Sequence, residues 1–160
     1  MYKNLDEVFK YLDRINNIED MQYLDCKWHS YDNIEWYKEI LKEVLKDKPK
    51  RVVDIGSNLN QYGFLFENED IEYIGIDILK QFNPLITDKI KFLHSDYLKV
   101  RDEYKDDVII SCLCVGYQVP IEEVKFKKLI VNSLDKNGNV SAIEFIRTSD
   151  KYDLPEGVNK

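Results

Sequence analysis

The spacing of hydrophobic residues changes near residue 50, from a helical period to a series of short apolar runs. Residues 5–15 place apolar side chains every three or four positions, as on one face of a helix. A second stripe of this kind runs from Ile34 to Leu45, and Pro49 follows it as a helix-stop signal. These patterns predict two helices at the N-terminal end, ahead of a region that is built differently.

Five short apolar runs follow residue 50 and alternate with more polar stretches. The runs are rich in Val and Ile and apolar on both faces, which is typical of buried strands in a parallel sheet. The polar stretches are long enough for the crossover connections that parallel strands need. The runs are RVVDIG (51–56), EYIGIDI (72–78), IKFLHSD (90–96), DVIISCLCV (107–115) and NVSAIEFI (139–146).

The clearest helix between these runs is predicted over Ile121–Leu134. Pro120 precedes this stretch, and Asn137-Gly138 follows it as a stop signal. The pattern as a whole predicts an α/β fold: a doubly wound, Rossmann-like sheet, mostly parallel, with helices on both faces and an N-terminal helical extension. We interpret residues 1–160 as a single domain with three parts, a helical cap (1–49), an α/β core (50–147) and a tail (148–160).

Composition and charge narrow the range of partners. Lys and Arg number 23 and Asp and Glu number 30, so the net charge is −7, which argues against an extended nucleic-acid interface. No apolar run reaches the roughly 18 to 20 residues that span a bilayer, and a secretory signal pattern is missing, so we expect a cytoplasmic protein. The three cysteines and two histidines do not form a zinc-ligand pattern, so no metal site is predicted.

The residues that follow the predicted strands carry the candidate chemistry. In an open α/β sheet, ligands bind beyond the carboxyl ends of the strands, where the strand order reverses. The first strand leads into a loop of small and turn-forming residues, 54–63, in which Asn58 and Asn60 tolerate positive φ. The second strand ends in Asp77, which suits the hydroxyls of a ribose, and the third ends in Ser95-Asp96-Tyr97.

These segments resemble the ordered motifs of class I S-adenosylmethionine-dependent methyltransferases, over roughly residues 50–147. The matching segments are VVDIGSNLNQYG, YIGID, LHSDYL and DVIISCL, in that order. The resemblance implies S-adenosylmethionine as cofactor. It places the 54–60 loop around the methionine part, Asp77 at the ribose, Asp96 near the adenine amino group, Tyr97 against the adenine, and Ser111–Leu113 along the cleft. The predicted cofactor contacts are Asp54, Gly56, Ser57, Asn58, Asn60, Asp77, Ile78, Asp96, Tyr97 and Ser111.

Two departures from the family pattern keep a second interpretation open. Its first loop usually reads D-x-G-x-G-x-G, but here only Gly56 is kept, and the Asn58 and Asn60 side chains are expected to fill space near the cofactor. Only thirteen residues follow Arg147, so the family's C-terminal antiparallel hairpin is expected to be truncated. The leading hypothesis is a methyltransferase acting on a small molecule or a protein. The alternative is a non-catalytic binding or assembly module of the same fold.

Several of these residues also have a purely structural alternative. Asp54 can order its loop, Asp77 can be a solvated carboxylate, and Asp96 can cap the next helix. His29 and His94 are the histidines available as a general base, and neither position supports a catalytic assignment. No catalytic residue is therefore predicted, and the aromatic segment at 23–37 is the candidate for substrate contact.

Overall fold

A computed structural model of the chain describes most of the predicted α/β core. The predicted helix at residues 5–15 and His29 lie outside the described residues, as do Asn58 and Leu113. Among the described residues, no helix is both long and apolar enough to cross a membrane. The described ranges are 34–57, 60–66, 68–80, 84–112, 114–115, 118–134 and 140–148.

Six strands form one sheet in the described part of the chain, in the order β3-β2-β1-β4-β5-β6. Strands β1 to β5 run parallel, and β6 pairs antiparallel with β5. The order reverses at β1, which lies between β2 and β4. This arrangement confirms the predicted, mostly parallel Rossmann-like sheet. The strands are β1 (Arg51–Ile55), β2 (Glu72–Asp77), β3 (Ile90–His94), β4 (Val108–Cys112), β5 (Lys128–Leu134) and β6 (Val140–Thr148).

One long helix accompanies the sheet in the described residues. Helix α1 (Ile34–Leu45) confirms the second predicted helix; it buries Ile40 and Val44 and packs against β6. The other helical elements are short because each only turns the chain between strands. They are α2 (Tyr97–Val100) and three 3₁₀ helices at Gln61–Phe66, Arg101–Tyr104 and Ile121–Glu123.

The helix predicted over Ile121–Leu134 is wrong. A single 3₁₀ turn ends at Glu123, Val124 is extended, and residues 128–134 form β5. The β5 residues Leu129 to Val131 are all buried because the strand lies between β4 and β6. Pairing with β4 on one side and β6 on the other outweighs the local helical spacing.

The antiparallel direction of β6 has the same origin. The run at 139–146 was expected to extend the parallel sheet, but only residues 135–139 separate it from β5. A parallel crossover needs a dozen or more residues, so a connection this short forces an antiparallel pair. Asn137-Gly138, interpreted above as a helix stop, is equally a hairpin signal. The described residues thus close the sheet with one antiparallel pair.

Strand β1 is the centre of the core. Val52 to Ile55 are all buried, since strands cover both edges of β1. At its amino end, Arg51 Nη2 donates to Asp107 Oδ2 at 2.6 Å, and its guanidinium lies 5.0 Å from the centre of the Tyr104 ring. The strand is therefore held at its start and buried along its length, which fixes the position of the loop that leaves its carboxyl end.

Candidate functional site

The candidate site lies at the carboxyl ends of β1, β2 and β4. The loop leaving β1 is held there by the backbone of β2, since the N–H groups of Gly56 and Ser57 both donate to the Ile76 carbonyl, at 2.8 and 3.1 Å. Gly56 has a φ of +74°. A Cβ at this position would lie 2.7 Å from the Cβ of Cys114. Both the backbone angle and the close approach of Cys114 thus require glycine here.

The Asn60 side chain does not extend into open space, contrary to expectation. Its backbone adopts the predicted positive φ, +61°. The side chain is fully buried, and Nδ2 donates to the carbonyls of Leu85 and Lys91, at 3.1 Å each. Asn60 therefore ties the first loop to β3 and to the segment before it. The Asn60 side chain therefore lies within the protein and takes up no solvent-exposed space.

Gly75 explains how a buried asparagine fits beneath the loop. A Cβ on Gly75 would lie 1.7 Å from Asn60 Oδ1 and 2.6 Å from Ser57 Oγ. The bare backbone of β2 thus leaves room for both polar side chains. The sequence analysis did not select Gly75, although a glycine inside a strand pattern is a signal of close backbone approach.

Asp54 is the most unusual side chain of the site, with only 1% of its surface exposed. The Tyr73 hydroxyl donates to its Oδ2, and Oδ1 has no hydrogen-bond partner among the described residues. Burial raises the pKa of Asp54 to about 8, the Tyr73 hydrogen bond opposes this, and the charge of Asp77 adds to it. Tyr73 was not singled out from the sequence, because its alternating position in β2 indicates only packing.

Three buried oxygen atoms near the end of β1 lack hydrogen-bond partners among the described residues. They are Asp54 Oδ1, Ser57 Oγ and Asn60 Oδ1. Buried polar atoms are nearly always satisfied in folded proteins, so such a group marks a place where a ligand or an ordered water supplies the missing bonds. These three oxygen atoms are therefore consistent with a ligand-binding site at the end of β1.

The end of β2 supplies a carboxylate beside an apolar surface. Asp77 is mostly buried, and its Oδ1 accepts a hydrogen bond from the Leu79 N–H at 2.9 Å. Ile78 is 59% exposed, so its side chain is open to a partner at the same edge. His94 is exposed on β3, with Nε2 3.1 Å from the Ile78 carbonyl oxygen. This contact is to the backbone and does not assign a catalytic role to His94.

The residues after β3 have structural roles. Asp96 caps α2, since its Oδ1 accepts from the Leu98 N–H at 3.0 Å. The Tyr97 ring is buried in the hydrophobic core, and its hydroxyl contacts the Lys125 backbone, accepting from the N–H at 3.1 Å. The structure therefore uses Asp96 as a cap, the alternative considered above, and Tyr97 as a core residue and not as an exposed stacking surface.

The end of β4 closes the site from the other side. Ser111 is buried, and its Oγ accepts from the Val115 N–H at 2.8 Å, which shapes the turn after the strand. Cys114 is buried against Gly56, and burial, with the charges of Asp54 and Asp77, raises the pKa of its thiol to about 12. The thiol is therefore protonated at neutral pH and acts in packing.

Within the described ranges, no group of three or more potential ligand side chains could hold a metal ion.

Solved structures that share this fold include methyltransferases. The plantazolicin methyltransferase BpumL, bound to a desmethyl-plantazolicin analogue and S-adenosylhomocysteine, aligns with a TM-score of 0.54 at 17% identity, covering 82% of this chain and 54% of that chain. A Nostoc punctiforme protein described as an O-methyltransferase aligns with a TM-score of 0.50 at 13% identity, covering 82% of this chain and 51% of that chain. An Anabaena variabilis protein, described as a methyltransferase from an antibiotic biosynthesis pathway, aligns with a TM-score of 0.51 at 13% identity. The alignment covers 65% of this chain and 47% of that chain.

This chain spans about half the length of these three structures. No family model matches the sequence, and no curated protein matches it. At this level of identity the likeness concerns the fold alone. The described residues have the Rossmann-like fold that is found in methyltransferases.

Proposed function

We propose that this protein binds S-adenosylmethionine beside Gly56 and transfers its methyl group to a nucleophile on a small molecule or a protein. The observation that carries the proposal is a pair of buried oxygens, Asp54 Oδ1 and Ser57 Oγ, that have no hydrogen-bond partner among the described residues and lie at the carboxyl end of β1, where the strand order reverses. Sheets of this type bind their ligands at such switch points. The fold shared with methyltransferases supports the same site.

The chemistry of the residues present fits this cofactor. S-adenosylmethionine carries two cationic groups and ribose hydroxyls, and supplies an electrophilic methyl group on a sulfonium. The buried side chains at these strand ends offer three kinds of oxygen: the Asp77 carboxylate, the carboxyl group of Asp54, which burial keeps protonated at neutral pH, and the Ser57 hydroxyl. We assign Asp77 to the ribose hydroxyls, because a carboxylate can accept from both, and the exposed Ile78 to the adenine face.

The proposed catalysis depends on positioning. A bound substrate nucleophile needs alignment with the methyl group and exclusion of water, both of which lower the barrier without a dedicated base. The rigid, fully buried end of β1 and the turn held by Ser111 supply a fixed wall for that alignment. The net charge of −7 favours a neutral or cationic substrate over a nucleic acid.

Calorimetric titration with S-adenosylmethionine and S-adenosylhomocysteine tests the proposal directly. We expect saturable binding, and a ligand at about 100 times its Kd should stabilise the fold by about 2.7 kcal/mol. Asp77→Asn should weaken binding at least about tenfold, since it removes a charged acceptor. Asp88→Asn, at an exposed aspartate before β3, is the matched control and should leave affinity unchanged.

The outcomes separate the two hypotheses kept open by the sequence. Binding that is lost in Asp77→Asn, together with methyl transfer to an acceptor, supports the enzyme. Failure of both compounds to bind at millimolar concentration contradicts cofactor binding and favours the non-catalytic binding module. Equal affinities for Asp77→Asn and the wild type contradict the ribose assignment alone.

A further inference from the structure

A recess lies at the end of the sheet opposite to Gly56. It has a volume of about 650 Å³, within the range of small-molecule sites. Lys105 and Lys127 line it just before β4 and β5 begin, and Arg147 of β6 lines it opposite the start of β5, where it pairs with Leu129. The recess is thus at the amino ends of the strands and separate from the candidate cofactor site.

The charged side chains around the recess are mainly cationic, although the chain as a whole is acidic. Arg147 is only 7% exposed, so its guanidinium is held at the wall and not in bulk solvent. Lys105 and Lys127 are exposed at the rim. Lys125 is partly neutralised by Asp102, at 2.7 Å. Four basic residues line the recess (Lys105, Lys125, Lys127 and Arg147) against two acidic ones (Asp106 and Glu122).

The remaining lining is apolar. Val124 is buried, and Ile121 and Phe126 are partly buried side chains that pack against the main hydrophobic core. These residues are placed here because a single 3₁₀ turn ends at Glu123 and β5 begins at Lys128, where the sequence predicted a helix. An apolar wall beside a guanidinium is the pairing that recognises a flat organic anion, since arginine binds carboxylates and phosphates through paired hydrogen bonds.

We propose that this recess is a second ligand site, for a small organic anion with a carboxylate or phosphate on an apolar body. Arg147 and Lys127 bind the anionic group, and Phe126 and Val124 contact the apolar part. This site does not depend on cofactor binding near Gly56. A ligand here would contact Arg147 of β6 and the segment that leads into β5.

Phenyl phosphate is the test ligand, with inorganic phosphate and phenol as its two halves. We expect phenyl phosphate to shift the backbone amide resonances of residues 121–127, and to bind at least about tenfold more tightly than either half, because both kinds of contact contribute. Lys127→Gln should weaken it about fivefold by removing one cationic contact. Lys99→Gln, at an exposed lysine of α2 outside the recess, is the matched control and should change nothing.

Arg147→Gln should cause the larger loss, about tenfold or more, because its guanidinium is the buried donor. Removal of the buried Arg147 charge can itself unfold this edge of the sheet. Lys127 is exposed, so Lys127→Gln tests ligand binding without that risk. The proposal is overturned if phenyl phosphate shifts no resonance of 121–127 at millimolar concentration, if its shifts cluster around Gly56, or if Lys127→Gln and Lys99→Gln behave alike. Inorganic phosphate binding as tightly as phenyl phosphate would overturn the apolar half of the assignment.

Discussion

The burial of Asp54 predicts a stability that falls as pH rises. Its pKa is raised from 3.8 to about 8 in the folded protein, chiefly by burial. Between these values the folded state retains a proton that the unfolded state releases, so the stabilisation is fully present below the unfolded pKa and is lost as pH rises through the folded pKa. Asp54→Asn removes this titration while keeping the shape and neutral charge of the protonated side chain.

The size of the stability change follows from the pH range between the unfolded and folded pKa values of Asp54, 3.8 and about 8. Each pH unit inside it changes the free energy of unfolding by about 1.4 kcal/mol for a single proton. From about pH 5 to about pH 7, the stability of the wild type should therefore fall by about 3 kcal/mol relative to Asp54→Asn. Tyr73→Phe should raise the folded-state pKa of Asp54, since the Tyr73 hydroxyl stabilises the charged carboxylate. The fall in stability should then continue to a higher pH.

Urea denaturation across this pH range, followed by circular dichroism, measures the difference. Subtracting the Asp54→Asn values removes the titrations common to both proteins. Asp88→Asn, an exposed aspartate, is the control and should track the wild type. A difference between wild type and Asp54→Asn that stays constant with pH would refute the reasoning, because it would mean that Asp54 is ionised in the folded protein throughout.

Three further predictions concern packing. Gly75→Ala places a Cβ 1.7 Å from Asn60 Oδ1 and should lower the free energy of unfolding by about 1 to 3 kcal/mol; a neutral effect in urea denaturation would contradict the close approach. Lys128→Met should lower the free energy of unfolding by about 1 to 3 kcal/mol, because it removes a buried ammonium that donates to the Glu43 carbonyl and to Asp47 Oδ2, at 3.0 and 2.8 Å; undiminished thermal stability would argue against these contacts. Iodoacetamide should label Cys114 only after unfolding, as judged by peptide mass mapping, because its thiol has a pKa of about 12; rapid labelling of the folded protein would disprove its burial.

Much of the fold was predictable because it is specified locally. Within the apolar runs at 51–56 and 72–78, residues 52–55 and 73–77 are all buried, and composition alone marks these runs as central strands. The helical period of Ile34–Leu45 is equally local, and α1 follows it. The loop after β1 could be located as well, since a strand followed by small and turn-forming residues has few other structures available.

The helix predicted over Ile121–Leu134 was wrong because the local pattern does not identify the strands that pair with this segment. Apolar residues there occur at spacings that fit a helix, yet the KLIVNSL segment fits a strand equally well. The choice was made by β4 and β6, which pair with β5 on either side. Pairing with other strands cannot be predicted from the period of the segment itself.

The parallel core, the position of the β1 loop and the positive φ of Asn60 could be predicted from the sequence, because they depend on neighbouring residues. The contacts of the side chains in that loop depend instead on residues from other strands. Asn60 was expected to obstruct a ligand, and it instead lies beneath the loop because Gly75, on another strand, leaves the space it fills. The protonation of Asp54 likewise depends on Tyr73 and on burial from all sides, which no local pattern encodes.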